Sequence, residues 1–408
     1  MAICNFRLCL NAVLLCTFAL LGSSTTLVPD SNKKKAQPNK EFRMSSQVSS
    51  ARSVRQPASR DSIGVEVRNH IGHLTLNRPE GLNAIDLDMV RTLRQQLDLW
   101  ADDASVHAVV LRGAGGKAFC AGGDIRSLYE SHKNGQDLHQ TFFAEEYELD
   151  LTIHRYRKPV LALMDGLVLG GGMGLVQGAD LRVVTERSRL GMPEVAIGYF
   201  PDVGGSHFLS RLPGGLGTWL GVTGSQIGAA DALYCGLANW SMNSEMLPRL
   251  DHMLDHLKWK STPLKDLQGA LAKLATQRLP YPPLEILRPA IDHFFGLPDI
   301  PSMLEQLQEV VIGDTREWAL DTVSRMKRHS PLAMAVTLEM LRRGRHLSLS
   351  SCFAMELHLD RQWFERGDLI EGIRALIIDK DKKPQWKHAS AQDVSAAHVQ
   401  SFFSGLEN

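Results

Sequence analysis

Two glycine-rich segments, each directly after an apolar strand, constrain the fold of this chain more than any other feature. Residues 113–125 follow the predicted strand 107–111, and residues 165–174 follow the predicted strand 159–164. Glycine lets the backbone approach a ligand closely and leaves its N–H groups unshielded. Three consecutive glycines, residues 170–172, stand at the mouth of an apolar helix, where the helix dipole favours an anion. Any one glycine is explained as simply by a tight turn, but the two junctions together indicate two sets of free backbone donors.

Two acidic residues, Glu194 and Asp202, stand in a setting that is unusual for charge. They lie in residues 191–205, which are otherwise glycine, proline and apolar residues and which follow the predicted strand 181–184. An ionised carboxylate is rarely buried unless it is paired or used, because its desolvation costs on the order of several kcal/mol. Each is therefore a candidate base, nucleophile or acid. The alternative is that Glu194 caps a helix and Asp202 caps a turn.

Backbone donors from two loops, followed by a carboxylate after the next strand, form the arrangement that stabilises an oxyanion while a side chain attacks or protonates the substrate. The combination is more specific than any of its members. A second acidic pair, Glu145 and Glu146, lies in an amphipathic helix predicted around Phe142 and Tyr147. One of these glutamates could face a pocket, whereas a solvated helix face is the default for either.

The rest of the folded region is predicted from hydrophobic periodicity. Alternating apolar residues on both sides of Asn69-His70 predict a β-hairpin, and the helical repeat in residues 89–100 predicts a helix capped by Asp86. The proline-rich residues 278–301 are expected to form a hinge. Further helices are expected at residues 229–235, 250–274, 304–318, 321–327, 331–341 and 352–364.

Composition excludes several classes of protein. The chain carries 45 Lys and Arg and 45 Asp and Glu, so no net positive field draws nucleic acid or an anionic membrane to it. Six cysteines without C-x-x-C spacing predict reduced thiols and no structural metal. His252 and His256 have the spacing of a metal-chelating pair on a helix, but a solvated helix face is the simpler interpretation.

The first 61 residues differ in character from the rest. Residues 7–24 have the layout of a short signal peptide, with a basic start, an apolar middle and small residues after it. Residues 29–61 are rich in Lys, Ser, Gln, Arg and Pro, which predicts a disordered arm, and residues 43–60 carry arginines and serines without an acid, as transit peptides do. Three explanations stay open: an export signal, an overextended start with Met44 as the real first residue, or organellar targeting.

The chain from about Ile63 to Lys387 resembles the crotonase (enoyl-CoA hydratase/isomerase) superfamily. That resemblance implies an α/β fold, the crotonase spiral of ββα units, with a C-terminal helical region. It divides the chain into an N-terminal extension at 1–61, a spiral core at 62–275 and the helical region at 276–408. Four motifs, in the order and with the spacing of the family, carry the resemblance: Leu76-Asn-Arg-Pro79 with Leu82-Asn-Ala84, Ala118-Phe-Cys-Ala-Gly-Gly-Asp-Ile125, Gly170-Gly-Gly-Met-Gly174 and Met192-Pro-Glu194.

The resemblance also implies a ligand and an oxyanion hole. Members of the superfamily bind acyl thioesters of coenzyme A and hold the thioester oxygen between two backbone N–H groups, which fall here on Gly123 and Gly171. Hydratases of the superfamily carry a second glutamate where this chain has Gly174, and its absence argues against a hydratase. The segment Phe200-Pro-Asp-Val-Gly-Gly205 resembles instead a hydrolase branch that acts on 3-hydroxyacyl thioesters.

In that branch the resemblance makes Glu194 either the nucleophile or the general base toward water, and the sequence leaves both open. Asp202 is expected to bind the substrate's 3-hydroxyl and to orient the acyl group or protonate the thiolate. Glu146 is expected to line the acyl pocket. Two other functions stay open: a hydratase or isomerase of the same fold, and a CoA-binding protein without catalysis.

No metal and no separate cofactor are expected, since coenzyme A is part of the substrate. The expected partner is the small-molecule acyl-CoA, without nucleic acid or stable membrane association, and self-association into a homo-oligomer is a further expectation. An acyl-CoA substrate implies an intracellular site, cytoplasmic in a bacterium or alternatively the mitochondrial matrix, so export by the signal-like residues 1–43 is not expected. Four basic residues near the matched loops are candidates for the CoA phosphates, although each is explained as simply by a surface position: Arg78, Lys117, Arg126 and Lys380.

Overall fold

The strands belong to two sheets, and the chain passes from one sheet to the other several times. The computed structural model describes residues 62–276 and 280–406, so the expectations for residues 1–61 lie outside the described part. Within it the strands are β1 (Ile63–Arg68), β2 (Ile71–Leu76), β3 (Ala108–Gly113), β4 (Ala118–Cys120), β5 (Val160–Met164), β6 (Leu167–Leu169), β7 (Leu181–Val184), β8 (Arg189–Gly191), β9 (Gln226–Ile227) and β10 (Trp240–Ser241).

Helices follow the strand pairs and then dominate the second half of the chain. The first nine are α1 (Leu87–Ala101), α2 (Ile125–Lys133), α3 (Leu138–His154), α4 (Gly171–Gln177), α5 (Gly205–Phe208), α6 (Leu216–Thr223), α7 (Ala229–Cys235), α8 (Leu247–Asp255) and α9 (Pro263–Leu271). The others are α10 (Pro283–Phe294), α11 (Ile300–Gln308), α12 (Arg316–Met326), α13 (Pro331–Gly344), α14 (Leu349–Arg366), α15 (Leu369–Ile373) and α16 (Ala396–Phe402). None of these helices combines the length and apolar character that a membrane span needs.

The two sheets are wound together as a spiral. The larger sheet has the order β1-β2-β3-β5-β7-β10 and the smaller one the order β4-β6-β8-β9. Strands 3, 5 and 7 therefore enter the larger sheet, while each following strand crosses to the smaller one. All pairs are parallel except β1–β2 and β8–β9. This is the repeated ββα arrangement that the sequence resemblance implied.

The larger sheet is buried on both faces, which explains why its central strands are continuously apolar. Along β3, Val109 and Leu111 join the main core, whereas Ala108 and Val110 point to a second apolar cluster on the opposite face. That second cluster is completed by buried residues from α8 and α9, such as Leu254. The glycine-rich loops at the strand ends are thus held by a core packed from two sides.

Several local predictions are confirmed. The hairpin β1–β2 turns at Asn69 and His70, with φ of 45° and 65°, as tight hairpin turns require. The helix predicted in residues 89–100 is α1, and the side chain of Asp86 accepts a hydrogen bond from the N–H of Met89 at 2.9 Å. The helix predicted at residues 229–235 is α7.

Three predictions for the C-terminal half are wrong in detail. Residues 250–274 form two helices rather than one, because Pro263 begins a new helix, and the helix expected over 304–318 ends at Gln308. The proline-rich residues 278–301 include α10, which begins at Pro283 and contains Pro289, so they are not simply a hinge. Proline at the first helical position fixes φ without the loss of a hydrogen bond, and here it starts helices. Both predicted regions, 62–275 and 276–408, fall in one compact unit, and the boundary between them stays a prediction.

The C-terminal helices close over the end of the spiral. The carboxylate of Glu356, on α14, accepts hydrogen bonds from the backbone N–H groups of Gly204 and Ser206 at 2.7 and 2.8 Å. On the same helix, the indole N–H of Trp363 donates to the carbonyl of Gly198 at 2.8 Å. These contacts fix the segment that carries the two acids Glu194 and Asp202.

Candidate active site

A cavity of about 220 Å³ lies where the two glycine-rich loops meet the segment after β8. Its wall is largely apolar. The exceptions are the backbone of the two loops and four side chains with polar groups, those of Glu146, Glu194, Tyr199 and Asp202. The structure therefore brings the acids predicted from the sequence to the same cavity as Gly123 and Gly171.

Backbone donors face this cavity from both loops. Gly171 is the first residue of α4, where an N–H group has no acceptor within its own helix. Gly123 forms an isolated parallel bridge with Ile85, and its own N–H donates to no atom of the described residues. The loops touch, because a Cβ atom built on Gly171 would lie 3.5 Å from the nitrogen of Gly123. Two adjacent unpaired N–H groups can bind one oxygen with developing negative charge.

Glycine at positions 170 and 171 lets the acids approach the loop. A Cβ atom on Gly171 would lie 2.5 Å from Oε1 of Glu146, and one on Gly170 would lie 2.6 Å from Oε1 of Glu194. Gly170 also has φ of 49°, in the left-handed region that side chains rarely adopt. Any other residue at either position would push a carboxyl group away from the donors.

Glu194 does not cap a helix. It begins a short 3₁₀ turn, Glu194–Ile197, after Pro193, and no side chain caps that turn. The residue is 8% exposed, and its buried Oε2 has no hydrogen-bond partner among the described residues. Burial, and then the nearby charge of Asp202, raise the pKa of Glu194 well above its ordinary value. A carboxyl group with a raised pKa accepts protons more readily near neutral pH, which suits a base.

Asp202 is bound by a tyrosine rather than by its own turn. The hydroxyl of Tyr147, on α3, lies 2.9 Å from Oδ2 of Asp202 and donates to it. Burial raises the pKa of Asp202 to about 7, although the hydrogen bond from Tyr147 opposes this rise. The next residue, Val203, is buried with φ of 49°, an unfavourable conformation for a β-branched residue. The backbone beside Asp202 is therefore held in place by its surroundings.

The structure separates the two glutamates of α3. Glu145 faces outward and makes an ion pair with Arg91 at 2.7 Å. Glu146 is 2% exposed, lines the cavity and has no partner for Oε1 within the described residues. Burial, followed by the charges of Asp202, Asp360 and Glu194, raises the pKa of Glu146 well above its ordinary value. The outward pair lies in a broader surface groove of about 720 Å³, whose charged side chains bind one another and which contains neither glycine loop.

Gly174 is closed to a larger side chain by packing. A Cβ atom built there would lie 2.4 Å from Oδ2 of Asp150 and 2.7 Å from Cβ of Val203. Asp150 is fully buried on α3, with no hydrogen-bond partner for either carboxyl oxygen in the described part of the chain. Burial, and then the charge of Glu146, raise the pKa of Asp150. The space that a second glutamate at 174 would enter is thus filled by another acid.

The sequence analysis did not single out Asp150, Glu356 and Asp360, which are buried on α3 and α14. It made no prediction for the environment of any of them. A signal for them exists, because the buried apolar face of α14 runs through Cys352, Phe353, Leu359 and Trp363. At helical spacing, positions 356 and 360 fall on that same face. An acid inside an apolar helical stripe indicates a functional or strongly paired group.

Other candidates have structural explanations. The guanidinium group of Arg78 pairs with Asp86 at 3.0 Å and with Asp124 at 3.1 Å, so it is occupied near the first loop. Burial raises the pKa of Cys120 to about 12, which leaves its thiol unreactive. His252 and His256 are exposed and stack on each other. Within residues 62–276 and 280–406, no group of three or more His, Cys, Asp and Glu side chains could hold a metal ion.

The geometry agrees with comparisons to known proteins. The sequence profile described as Enoyl-CoA hydratase/isomerase matches residues 71–403. The chain belongs to this family. The predicted superfamily and its α/β spiral fold are thereby confirmed. Two solved structures of the family fold are 34% identical to the chain. One, a carnitinyl-CoA dehydratase from Mycobacterium thermoresistibile, has a TM-score of 0.78 and covers 85% of this chain and 97% of its own. The other, an enoyl-CoA hydratase from Rhodobacter sphaeroides 2.4.1, has a TM-score of 0.76 and covers 84% and 97%.

Three curated relatives of this chain carry the name "3-hydroxyisobutyryl-CoA hydrolase, mitochondrial". The protein of Rattus norvegicus is 39% identical over 346 residues, or 84% of this chain and 88% of that protein. The protein of Xenopus tropicalis is 37% identical over 340 residues, or 83% and 87%. The human protein is 36% identical over 350 residues, or 85% and 89%.

The packing at Gly174 gives a prediction for stability. Gly174→Ala places a methyl group against Asp150 and Val203, so we expect the free energy of unfolding to fall by about 1–3 kcal/mol, as overpacked cores do. Gly269→Ala is the matched control, because a Cβ atom there meets nothing within 4 Å on the exposed side of α9. Chemical denaturation of both variants measures the difference. Equal stability of the two would contradict the close packing at 174.

Proposed function

We propose that the chain hydrolyses 3-hydroxyisobutyryl-CoA to 3-hydroxyisobutyrate and coenzyme A, a step of valine degradation. One observation carries the proposal: the second acid of the cavity is Asp202, whereas the position of a hydratase's second glutamate is a closely packed glycine. The name of the curated relatives supports it. The proposal uses no cofactor apart from the coenzyme A that the substrate carries.

In this proposal the two glycine loops bind the thioester oxygen. The N–H groups of Gly123 and Gly171 would donate to it as the carbonyl carbon becomes tetrahedral. In other enzymes the removal of one such donor lowers the rate by about 10²–10³-fold. Both donors are main-chain groups, so side-chain substitution does not remove them. A bulkier residue would displace them instead.

The three acids of the cavity would have different roles. Glu194 acts at the thioester carbon, and Asp202 binds the substrate's 3-hydroxyl and protonates the departing thiolate. Glu146 lines the acyl pocket beside Gly171. The raised pKa of Asp202, about 7, suits a group that must give up a proton near neutral pH.

A direct attack by Glu194 fits the site better than the activation of water. Oε2 of Glu194 has no partner in the described residues, and no second acid at position 174 is available to orient a water molecule. In the first step a carboxylate oxygen of Glu194 bonds to the carbonyl carbon, the carbon–sulfur bond breaks, and Asp202 protonates the thiolate sulfur. Water then opens the mixed anhydride and restores the Glu194 carboxylate.

Heavy-oxygen water separates the two routes. After a single turnover in it, we expect label in the peptide that contains Glu194, because water opens the anhydride at the enzyme's carbonyl carbon. Mass analysis of that peptide makes the measurement, and the peptide from Glu194→Gln is the control. Label found only in the product acid would contradict this course of the reaction.

A hydratase is the second candidate, because the two solved relatives are named as a dehydratase and an enoyl-CoA hydratase. The family resemblance places a hydratase's second glutamate at position 174, where this chain has a closely packed glycine. Asp150 lies near position 174 but is fully buried and does not line the cavity. We therefore prefer the hydrolase.

Release of free thiol tests the proposed function. We expect release from 3-hydroxyisobutyryl-CoA and 3-hydroxypropionyl-CoA, much slower release from isobutyryl-CoA, and no hydration of crotonyl-CoA. Glu194→Gln and Asp202→Asn should each lower the rate by about 10²–10⁴-fold, the range for a lost acid, base or nucleophile. A thiol-reactive dye and the enone absorbance follow the two reactions. Hydration of crotonyl-CoA without thiol release would favour the hydratase.

The mitochondrial matrix is the compartment that we propose for a eukaryotic source. The curated relatives are named as mitochondrial, and residues 43–60 have the composition of a transit peptide. We expect the mature protein to lack at least residues 1–43. N-terminal sequencing of protein from its own host measures this, and intact residues 1–43 would contradict it. Self-association stays a prediction.

A further inference from the structure

A carboxyl group on α14 is connected to the cavity through a tyrosine. Asp360 is 3% exposed, and its Oδ2 lies 2.5 Å from the hydroxyl oxygen of Tyr147. The same hydroxyl contacts Oδ2 of Asp202 at 2.9 Å. The hydroxyl of Tyr199 donates to the other carboxyl oxygen, Oδ1 of Asp360. One tyrosine thus joins a cavity acid to an acid that does not line the cavity.

The number of hydrogens in this chain of contacts shows that Asp202 and Asp360 are not both ionised. At least one of the two carboxyl groups carries a proton. Tyr147 has one hydroxyl hydrogen and can donate it to only one of the two carboxyl groups. The other short contact requires a proton on a carboxyl oxygen, because two oxygens without a hydrogen between them repel. Asp360 is the better holder, since it is farther from solvent and burial raises its pKa well above the ordinary value.

No cation balances these acids. Lys and Arg side chains are missing from the buried residues of the described part of the chain. His154 and His207, on α3 and α5, which are two of the helices that pack against α14, are kept neutral because burial lowers their pKa. The other titratable groups that act on this chain of contacts are acids and tyrosines: Glu146, Tyr147, Asp150, Tyr199, Asp202 and Glu356.

We propose that Asp360 is a positioning residue that returns a proton to Asp202 through the hydroxyl group of Tyr147. This rests on the proposed hydrolysis, in which Asp202 protonates the thiolate. As Asp202 loses its proton, it takes the hydroxyl hydrogen of Tyr147, and Tyr147 takes the proton of Asp360. Two O–H bonds break and two form, so one negative charge moves from Asp202 to Asp360. Opening of the anhydride by water releases two protons, one of which returns to Asp360 while the other leaves with the product.

The geometry favours this transfer of charge. An ionised Asp202 would stand in a poorly solvated cavity, and it would repel the Glu194 carboxylate once water has restored that group. An ionised Asp360 would accept hydrogen bonds from both Tyr147 and Tyr199, which stabilise a carboxylate. Asp202 therefore stays protonated while Asp360 carries the charge.

The test compares Asp360→Asn and Tyr147→Phe with the native full-length protein across pH. Asn fills the same space but can neither hold the proton nor carry the charge. We expect kcat to fall about 10–100-fold, within the range for proton transfer, with little change in KM. The alkaline limb of the kcat profile should move to lower pH by about one unit, because an anionic Asp360 no longer raises the pKa of Asp202.

A double variant and a control separate the relay from a structural role. Asp360→Asn combined with Tyr147→Phe should be no slower than Tyr147→Phe alone, since both interrupt one path. Asp368→Asn is the control, because Asp368 is 1% exposed and binds Ser330, outside the relay. Its pH profile should match the native one. Two results would overturn the relay. One is an alkaline limb of the kcat profile in Asp360→Asn at the same pH as in the native protein, and the other is a fall in kcat in the double variant equal to the product of the two single falls.

An infrared spectrum tests the shared proton without any substrate. The native protein at neutral pH should show one more protonated carboxyl group than Asp360→Asn. An unchanged carboxyl band would overturn the proposal even if the protein hydrolyses thioesters, and a lost band would support the relay even if the substrate is different. Should Asp360→Asn fail to fold, Tyr199→Phe gives the same test, because the loss of its donor raises the pKa at which the band disappears.

Discussion

The structure depends on the burial of six carboxyl groups in and around one small cavity, with no buried Lys or Arg among the described residues to neutralise them. Glu146, Asp150, Glu194, Asp202, Glu356 and Asp360 are all at most 8% exposed. Acids in such a place must be protonated or must accept hydrogen bonds. Both solutions occur here. Glu356 binds two backbone N–H groups, Asp202 and Asp360 share a tyrosine, and burial raises the pKa of the remaining acids.

The spiral fold provides the backbone N–H donors that face these acids across the cavity. Each turn of the spiral ends a strand of the smaller sheet at a glycine-rich loop, and two such loops meet at Gly123 and Gly171. Their donors belong to the main chain and are fixed by a core that packs the larger sheet from both faces. Because the donors are rigid, the chemistry can change from one family member to another through the acids alone. In the proposed hydrolysis, Gly174 and Asp202 are the positions that distinguish this chain from a hydratase.

Much of this arrangement could be predicted from the sequence because it depends on local patterns. Short segments of sequence are enough to predict the glycine loops, the strands before them and the two acids of residues 191–205. Both loops and both acids line the cavity. The helix breaks were harder, because a proline can either end a helix or begin one, as Pro263 does. The roles assigned to Glu194, Asp202, Gly123, Gly171 and Glu146 stay predictions.

The acids on α14 could not be found in the same way, because their partners are far away in the chain. Tyr147 and Asp360 are 213 residues apart, and the face that Asp360 presents is decided only when α14 packs against α3. The sequence also could not show which of the neighbouring residues Glu145 and Glu146 faces the cavity. Adjacent residues on one helix point to opposite environments, and periodicity alone left the choice between them open.

The hydrogen bonds that Gly204 and Ser206 donate to Glu356 have a consequence for the order of events during synthesis. They join residues that are 152 and 150 positions apart. The segment that carries Asp202 is therefore clamped only after α14 has been synthesised and has packed against it. A chain that stops before α14 keeps both glycine loops and Glu194 but lacks these two bonds.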